Sequence, residues 1–528
     1  MPTKNFALPL LGIVLLSACA PRQASQAPAP AAAASHAAGS EPAQVAAVAG
    51  ESIAWRKGDI QAAFKEALAT HKPVLLYWGA VWCPPCHQLK AYVFSRPDFI
   101  EKAKAFVPVY LDGDEAGAQK WAEEFKVTGY PTVVVLSPER AELARINSGM
   151  DLTQYANVLD NVLADVQPVE AVLVAAGKRA LTDGECRRLA YNGWVLDDTT
   201  AAEDARRMTQ LQQAAQACPA KLAIGRIRLQ LYAVYFAEKT GKPVPATLVA
   251  PVDQLLADSA SAADQLDVLR MLGNQFMKAI GPPGSPAALA FNARFARAMD
   301  LATTHPRYTL PDHLVAVGNK LAVAKALTGK LDPQLAAAAR RILDETLATK
   351  TNDYERLTII NAALGVFDEL GANAEAYAYL QGELARSDTP YYYQADLADL
   401  AEELGRKDEA IGWSARSYAG ARGAATRFQW GKNYLAQLLR LQPGDTQLIR
   451  ATGLQVLGEL DGTDRIYRRA AQRLAALDGE LRKWASADAA QRKPVLRDLR
   501  AQLAPTCAKI PAAEPARSSC DAFLKNVG

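Results

Sequence analysis

Two cysteines separated by two prolines, Cys83 and Cys86, are the side chains in this sequence best suited to covalent chemistry. They follow Trp82 in the segment Trp-Cys-Pro-Pro-Cys, which comes after an apolar run and begins a predicted helix. A cysteine at a helix amino terminus meets unpaired N–H groups and the positive end of the helix dipole, which stabilise its thiolate and lower its pKa. Because the thiolate is the attacking species, the pattern predicts thiol–disulfide exchange, with Cys83 as the exposed nucleophile and Cys86 as the resolving cysteine.

The two intervening prolines are compatible with this placement. Proline lacks the N–H that would be unpaired in a first helical turn, so Pro84 and Pro85 stiffen the loop without interrupting the helix. A purely structural disulfide is disfavoured, because so short a loop constrains little chain entropy and strains the bond. We therefore expect a redox-active disulfide and no further cofactor.

A second motif overlaps the first, because residues 83–87 also fit the C-x-x-C-H pattern of covalent c-type haem attachment, with His87 last. Haem needs a large apolar pocket and usually a distal ligand, whereas this motif abuts a predicted buried strand. Haem attachment is therefore a minor alternative. A zinc site would need a second close Cys or His pair, and the other cysteines are dispersed, so no metal site is expected.

The elements that must position the pair alternate between strand and helix over residues 51–166. Apolar runs predict strands at 74–78, 106–111 and 132–136, with a weaker strand at 143–146. Helical spacing predicts helices at 60–69, 86–93, 116–126 and 152–163. This alternation predicts an α/β domain with helices on both faces of the sheet.

Two segments give this region a family resemblance. The Trp-Cys-Pro-Pro-Cys segment at 82–86 and the Gly-Tyr-Pro-Thr segment at 129–132 closely resemble the thioredoxin superfamily, and the order of elements agrees over about residues 55–163. Residues 82–99 look most like exported members, such as the carboxy-terminal domain of the transmembrane disulfide reductase of bacterial envelopes. The resemblance implies a cis Tyr130–Pro131 bond that faces the dithiol. It also implies a substrate-binding surface made of Trp82, Pro84, Pro85, Tyr130 and Pro131.

The sequence departs from the family pattern at two positions. Many thioredoxins bury an aspartate behind the dithiol, whereas this strand carries Tyr77, and the lysine that often accompanies the aspartate is Pro108 here. Proton transfer from Cys86 must then use another group or water. The sequence offers candidates that it cannot place, namely His87, Glu123 and Glu124.

Beyond the α/β region, residues 167–280 and 287–528 show Ala- and Leu-rich helical patterns, which predict two all-α domains separated by a Gly- and Pro-rich break. In the second, a Leu-Gly pair recurs at 370 and 404, and a Glu-Ala pair recurs at 375 and 409. Both pairs recur after 34 residues. This period resembles that of tetratricopeptide repeats, in which paired helices bury one another's apolar faces. A plain helical array is the alternative.

The amino-terminal segment predicts export and a lipid anchor. Its apolar run of about eleven residues is too short to span a bilayer, so residues 1–18 are interpreted as a signal peptide. Small residues before Cys19 resemble the lipobox of bacterial lipoproteins, which implies that Cys19 is acylated, while a plain signal peptide is the alternative. Residues 19–50 then form a disordered tether. This implies a periplasm-facing protein of the bacterial envelope, with the outer membrane favoured because Ala20 follows the cysteine.

Export to an oxidising compartment implies that the remaining four cysteines pair. Sequence proximity favours Cys186 with Cys218 and Cys507 with Cys520 as structural disulfides, although six cysteines allow fifteen connectivities. The composition is that of a soluble globular protein, with 50% hydrophobic and 22% charged residues. A net charge of +3 gives no reason to expect a nucleic-acid partner.

These features together predict a cell-envelope thiol:disulfide oxidoreductase, more a reductase or isomerase than an oxidase, that acts through Cys83 and Cys86. Its partners would be the thiols and disulfides of exported proteins and an envelope electron donor or acceptor, with membrane contact only through the lipid anchor. The competing class is an interaction protein, in which helical repeats bind partners and the thioredoxin-like module docks or holds them.

Overall fold

The structure is a computed structural model that describes residues 52–527 apart from 116, 128, 147–149, 196–198 and 463–464. The predicted signal peptide, the predicted tether and the predicted acylation site Cys19 lie outside the described residues. Within the described part of the chain, none of the helices combines the length and the apolar character needed to cross a membrane.

A five-stranded mixed sheet forms the centre of the α/β region, and its strand order is β1-β3-β2-β4-β5. Strands β1 and β2 run parallel to β3, whereas β4 is antiparallel to both β2 and β5. The central strand β2 is buried along its whole length, as its apolar run predicts. The strands are β1 Arg56–Lys57, β2 Val74–Gly79, β3 Val107–Asp112, β4 Thr132–Leu136 and β5 Glu142–Ile146.

Helices cover both faces of this sheet, which confirms the predicted fold class. Because side chains alternate along a strand, Leu75 and Tyr77 of β2 pack towards one set of helices and Leu76 and Trp78 towards the other. Helices α2, α3 and α5 lie on the first face, and α1 and α4 lie on the second. The five helices are α1 Ile60–Thr70, α2 Pro84–Leu89, α3 Pro97–Ala103, α4 Ala118–Glu124 and α5 Leu152–Ala164.

Only helices follow α5 in the described part of the chain, as the Ala- and Leu-rich pattern predicts. The first group contains α6 Val169–Ala176, α7 Asp183–Ala190, α8 Ala201–Ala217, α9 Ala223–Lys239, α10 Ala246–Leu255, α11 Ser259–Ala263, α12 Leu266–Leu269 and α13 Asn274–Ile280. The second group contains α14 Pro286–Ala302, α15 Leu310–Thr328, α16 Pro333–Ala348, α17 Asp353–Leu370, α18 Asn373–Glu383, α19 Pro390–Glu403, α20 Lys407–Gly420, α21 Ala424–Leu441, α22 Thr446–Gly458, α23 Arg468–Ser486, α24 Ala489–Lys509 and α25 Pro515–Ala522.

The recurring Leu-Gly pairs mark the turns inside two helix pairs, α17 with α18 and α19 with α20. Gly371 and Gly405 have φ angles of 66° and 73°, a left-handed conformation that lets each chain reverse after its helix ends. Ala376 and Ala410 are buried on the second helix of each pair, where a small residue permits close packing. This arrangement fits a tetratricopeptide-like region.

The break at residues 281–286 ends α13 and begins α14, but helices on both sides of it share one apolar cluster. Two disulfides lie in the helical region. Cys186 of α7 is bonded to Cys218 at the end of α8, and Cys507 of α24 is bonded to Cys520 of α25. Residues 51–528 form one compact unit, and a single apolar cluster runs from the sheet face that carries α2 into the last helices of the chain.

Candidate active site

Cys83 and Cys86 lie where strand β2 passes through a short loop into helix α2. Cys83 occupies the N-cap position, and its sulfur accepts a hydrogen bond from the backbone N–H of Cys86 at 3.2 Å. The two residues are joined in a disulfide with a Cα–Cα distance of 5.2 Å. In the reduced form, the same N–H and the helix dipole favour the Cys83 thiolate over the thiol.

The second segment of the family resemblance lies beside this loop. Thr132, the first residue of β4, pairs with Trp78 near the end of β2, so the preceding Tyr130 and Pro131 are brought next to the cysteine loop. The Tyr130–Pro131 peptide bond is cis. The ring of Trp82 meets the ring of Tyr130 edge-on at 5.9 Å between centroids. The structure therefore places the expected substrate-binding residues around one end of the sheet.

The expected exposure of Cys83 is wrong in this structure, because the chain's own helical region covers the cysteine loop. Cys83 is 2% exposed and Cys86 is fully buried. The indole of Trp82 stacks on Tyr392 of α19 at 5.9 Å and contacts Trp430 of α21 at 6.0 Å between ring centroids. At Trp82, the surface predicted to bind a substrate protein is therefore occupied by α19 and α21.

Hydrogen bonds fix this cover to the loop that follows β3. Thr426 of α21 accepts a hydrogen bond from Trp82 Nε1 at 2.8 Å and donates its backbone N–H to Asp114 at 2.9 Å. Gly423, with a φ of 76°, lies so close to Asp114 that a Cβ at this position would be 2.4 Å from the Asp114 Cβ. A glycine at 423 is thus required for the approach of α21.

A second contact holds the other side of α2. The Gln88 amide donates to Thr309 and to Asp312 of α15, each at 3.2 Å, and α17 packs against α2. A cavity of about 390 Å³ remains between α2, α15 and α17, and Pro84 and Pro85 form part of its wall. Pro84 is buried and Pro85 is half-buried.

The sheet face behind α2 carries polar groups that the sequence pattern did not single out. Val109 and Leu111 of β3 face α1 and α4, so Tyr110 and Asp112 face the α2 side together with Tyr77. Tyr110 stacks on Tyr77 at 5.2 Å and donates to Asp112 at 3.2 Å. Burial raises the pKa of Asp112 above that of an ordinary aspartate. The ammonium of Lys90, one turn beyond Cys86, lies over the ring of Tyr110, and burial lowers its pKa.

Asp112 is therefore an acid on the sheet face where the family often has a buried aspartate. Asp112 could have been identified from the sequence by its position at the end of predicted strand β3. In the structure it is in register with Gly79 of β2. The three candidates named from the sequence are engaged elsewhere. Glu123 accepts from the Arg468 backbone at 2.8 Å, and Glu124 pairs with Arg140 at 2.9 Å.

His87 lies beside the loop rather than behind the dithiol. Its Nε2 is 2.6 Å from the backbone oxygen of Val81, and burial lowers its pKa. Because this ring nitrogen faces a carbonyl and the two sulfurs are bonded to each other, the geometry favours a redox disulfide over haem attachment. Among the described residues, no cluster of three or more His, Cys, Asp or Glu side chains has the arrangement of a metal site.

Comparison with known proteins agrees with this geometry. A family model described as "Thioredoxin-like domain" matches residues 60–163. Thioredoxin H5 of Arabidopsis thaliana is 39% identical over 75 residues, which are 14% of this chain and 57% of that protein. Thioredoxin H-type of Brassica oleracea is 36% identical over 78 residues, again 14% of this chain and 57% of that protein. The chain thus spans less than two thirds of the length of these curated relatives.

Among solved structures, the solution structure of a thioredoxin from Thermus thermophilus is 26% identical, with a TM-score of 0.20. The match covers 21% of this chain and 88% of that one. The close Cys83–Cys86 pair and the matched domain are those of thiol–disulfide oxidoreductases as a general kind. Residues 60–163 of this chain are therefore a thioredoxin-like domain, and a large helical region follows it.

Proposed function

We propose that this chain is a thiol:disulfide oxidoreductase of the bacterial cell envelope that exchanges disulfides with other exported proteins. The observation that carries the proposal is Cys83 at the amino terminus of α2, bonded to Cys86 beside the cis Tyr130–Pro131 bond. Acylation of Cys19 would anchor the protein, with the outer membrane favoured. Reduction or isomerisation of substrate disulfides is proposed over oxidation.

The proposed reaction has two exchange steps. The Cys83 thiolate attacks one sulfur of a substrate disulfide, which forms a mixed disulfide and releases the other substrate sulfur as a thiolate. Cys86 then loses its proton and attacks the Cys83 sulfur, which releases the second substrate thiolate and leaves the Cys83–Cys86 disulfide. Two electrons have passed to the substrate, so an envelope dithiol donor must reduce the pair before the next cycle.

The helical cover adds a requirement to this cycle. Trp82, next to the buried Cys83, is enclosed by Tyr392, Thr426 and Trp430, and a substrate protein needs the same surface. We therefore propose that α19 and α21 move away from the cysteine loop before a protein disulfide reacts. The substrate then competes with the chain's own helices for Trp82.

The burial of Cys83 also supports the second candidate function, an interaction protein. In that case the thioredoxin-like domain serves as a docking surface for α19 and α21, and the helical pairs bind the partner. The pair would then remain oxidised and take no part in exchange.

Trapping with Cys86→Ala distinguishes the two functions. The full-length variant keeps the attacking sulfur but cannot resolve a mixed disulfide, so it should accumulate covalent adducts with a disulfide-bonded protein such as insulin. The variant Cys83→Ala is the matched control and should form no adducts through this loop. If neither adducts nor reduction of insulin by the wild-type chain is found, the interaction function replaces the proposal.

A further inference from the structure

A separate cavity of about 200 Å³ lies between the thioredoxin-like domain and helices α21 and α23. The loop at residues 113–115 and Gln119 form its wall on the domain side. Three arginines, Arg465, Arg469 and Arg473, line the helical side. The volume is below the roughly 300 Å³ at which sites for drug-sized ligands begin, so only a small ligand would fit.

Two of these arginines are close together and poorly satisfied. Arg469 and Arg473 are one turn apart on α23, and both donate to the same oxygen, Gln429 Oε1, at 3.0 and 2.9 Å. Each guanidinium has five N–H donors, so among the described residues one amide oxygen leaves most of them without an acceptor. Arg469 Nε is buried with no hydrogen-bond partner among the described residues.

Neither Arg469 nor Arg473 has an ion-pair partner within the described part of the chain, and their side-chain hydrogen bonds go to the neutral Gln429 amide. Burial and the positive charge of Arg469 lower the pKa of Arg473. The carboxylates that line the cavity are engaged elsewhere or exposed: Asp114 accepts from Thr426, Glu459 is paired with Arg427, and Glu115 faces solvent. Like charges one helical turn apart repel each other, which makes an unpaired arginine pair unfavourable.

From this arrangement we propose that Arg469 and Arg473 bind one small oxyanion, either a carboxylate or inorganic phosphate. An oxyanion supplies the missing negative charge together with several acceptors, and the planar guanidinium groups can each bind it with two parallel hydrogen bonds. Arg469 also lies over the ring of Tyr130, at 4.2 Å from the guanidinium carbon to the ring centroid. The site therefore adjoins the cis-proline loop, but it does not depend on redox chemistry.

Calorimetric titration of the oxidised full-length chain tests the site, with inorganic phosphate in one series and succinate in the other at constant ionic strength. The expected result is saturable binding with one site per chain in at least one series. The series that binds identifies the oxyanion as phosphate, carboxylate or both. The double variant Arg469→Gln/Arg473→Gln should bind at least about tenfold more weakly, since it loses two charge-assisted contacts.

Two further variants keep the test decisive. Arg497→Gln removes an exposed arginine of α24 and should bind as the wild type does. Arg473→Lys keeps the positive charge but cannot form two parallel hydrogen bonds, so it should bind with intermediate affinity. This variant replaces the double variant in the test if the double variant does not fold. The proposal is overturned if neither anion binds saturably, or if the double variant or Arg473→Lys binds both anions as tightly as the wild type.

Discussion

The aspartate at the end of β3 lies on the sheet face where the family pattern led us to seek a buried acid within β2. Tyr77 stands in β2, whereas Asp112 faces the same side of the sheet from the neighbouring strand. Its raised pKa brings its protonation equilibrium nearer to neutral pH, where a proton acceptor is most useful. We propose Asp112 as the acceptor of the Cys86 proton, with water between the two groups.

We expect Asp112→Asn to slow reduction of a model disulfide by about tenfold or more, because general base catalysis typically contributes at least that much. The pH dependence of the rate should also change, since one titrating group is lost. The control is Glu124→Gln, which alters an acid paired with Arg140. A rate and a pH profile equal to those of the wild type would remove Asp112 from the mechanism.

The same substitution has a predictable effect on stability. A carboxyl whose pKa is higher in the folded than in the unfolded state favours folding at low pH, and this contribution is lost as the pH rises through the folded pKa. Ionisation of Asp112 therefore reduces the stability of the fold as the pH rises. Asp112→Asn should raise the thermal unfolding temperature at pH 7 and have little effect below the ordinary aspartate pKa. A variant that is destabilised equally at both pH values would contradict this.

A buried ion pair shows how strongly single residues hold the helical region. Arg228 of α9 is fully buried and bonds both oxygens of Asp267 in α12, at 2.9 and 2.7 Å. Asp267→Asn leaves this guanidinium charge without its counter-ion and should cost about 3–5 kcal/mol of folding free energy. Asp344→Asn, which breaks an exposed pair with Arg340, should cost less than about 1 kcal/mol. Urea unfolding of both variants measures the difference.

Helix α21 makes several of the contacts that cover the cysteine loop. It contributes Thr426 and Trp430 to the cover, and Gly423 allows its first turn to reach Asp114. These contacts join residues more than three hundred positions apart in the chain, as for Trp82 and Thr426. Local sequence periodicity cannot predict a contact between residues so far apart. This explains why the sequence led us to expect an exposed Cys83.

Trp430→Ala should loosen this cover, because removing a large buried side chain typically costs several kcal/mol. After selective reduction of the Cys83–Cys86 pair, alkylation of Cys83 should be at least about tenfold faster in the variant, since about 1.4 kcal/mol changes an opening equilibrium tenfold. Trp413→Ala is the matched control, because Trp413 of α20 donates to Tyr377 and is not among the rings against Trp82. Equal alkylation rates in all three proteins would show that α21 does not limit access.

Across the molecule, the sequence predictions are accurate where a structure depends on residues close together in the chain, and they fail where it depends on contacts between distant residues. The strand at 132–136 and the helix beginning at residue 60 were predicted closely, because a continuous apolar run and helical spacing are local patterns. Strand β1 has only two residues, too few for a strand pattern to show, and the seven-residue helix α3 was not predicted. The sequence pattern also predicts an ordinary helix over residues 86–93, whereas Lys90–Phe94 form a wider helical turn.

The parts of the site that depend on chain packing could not be predicted. The pair itself followed from residue types and spacing, and the cis Tyr130–Pro131 bond from the family resemblance. The cover by α19 and α21 and the arginines beside Tyr130 involve segments far apart in sequence, so local patterns do not predict them. The molecule therefore combines a cysteine pair that local sequence predicts with a cover made by residues far away in the chain.

Equilibration of the oxidised full-length chain with graded thiol–disulfide buffers, followed by mass analysis of alkylated peptides, most directly tests whether Cys83 and Cys86 are an exchanging pair. We expect this pair to be reduced reversibly at a potential above about −300 mV, while Cys186–Cys218 and Cys507–Cys520 stay intact, as structural disulfides do. If the Cys83–Cys86 bond instead resists reduction as the other two do until the chain unfolds, it is structural and the redox function is wrong.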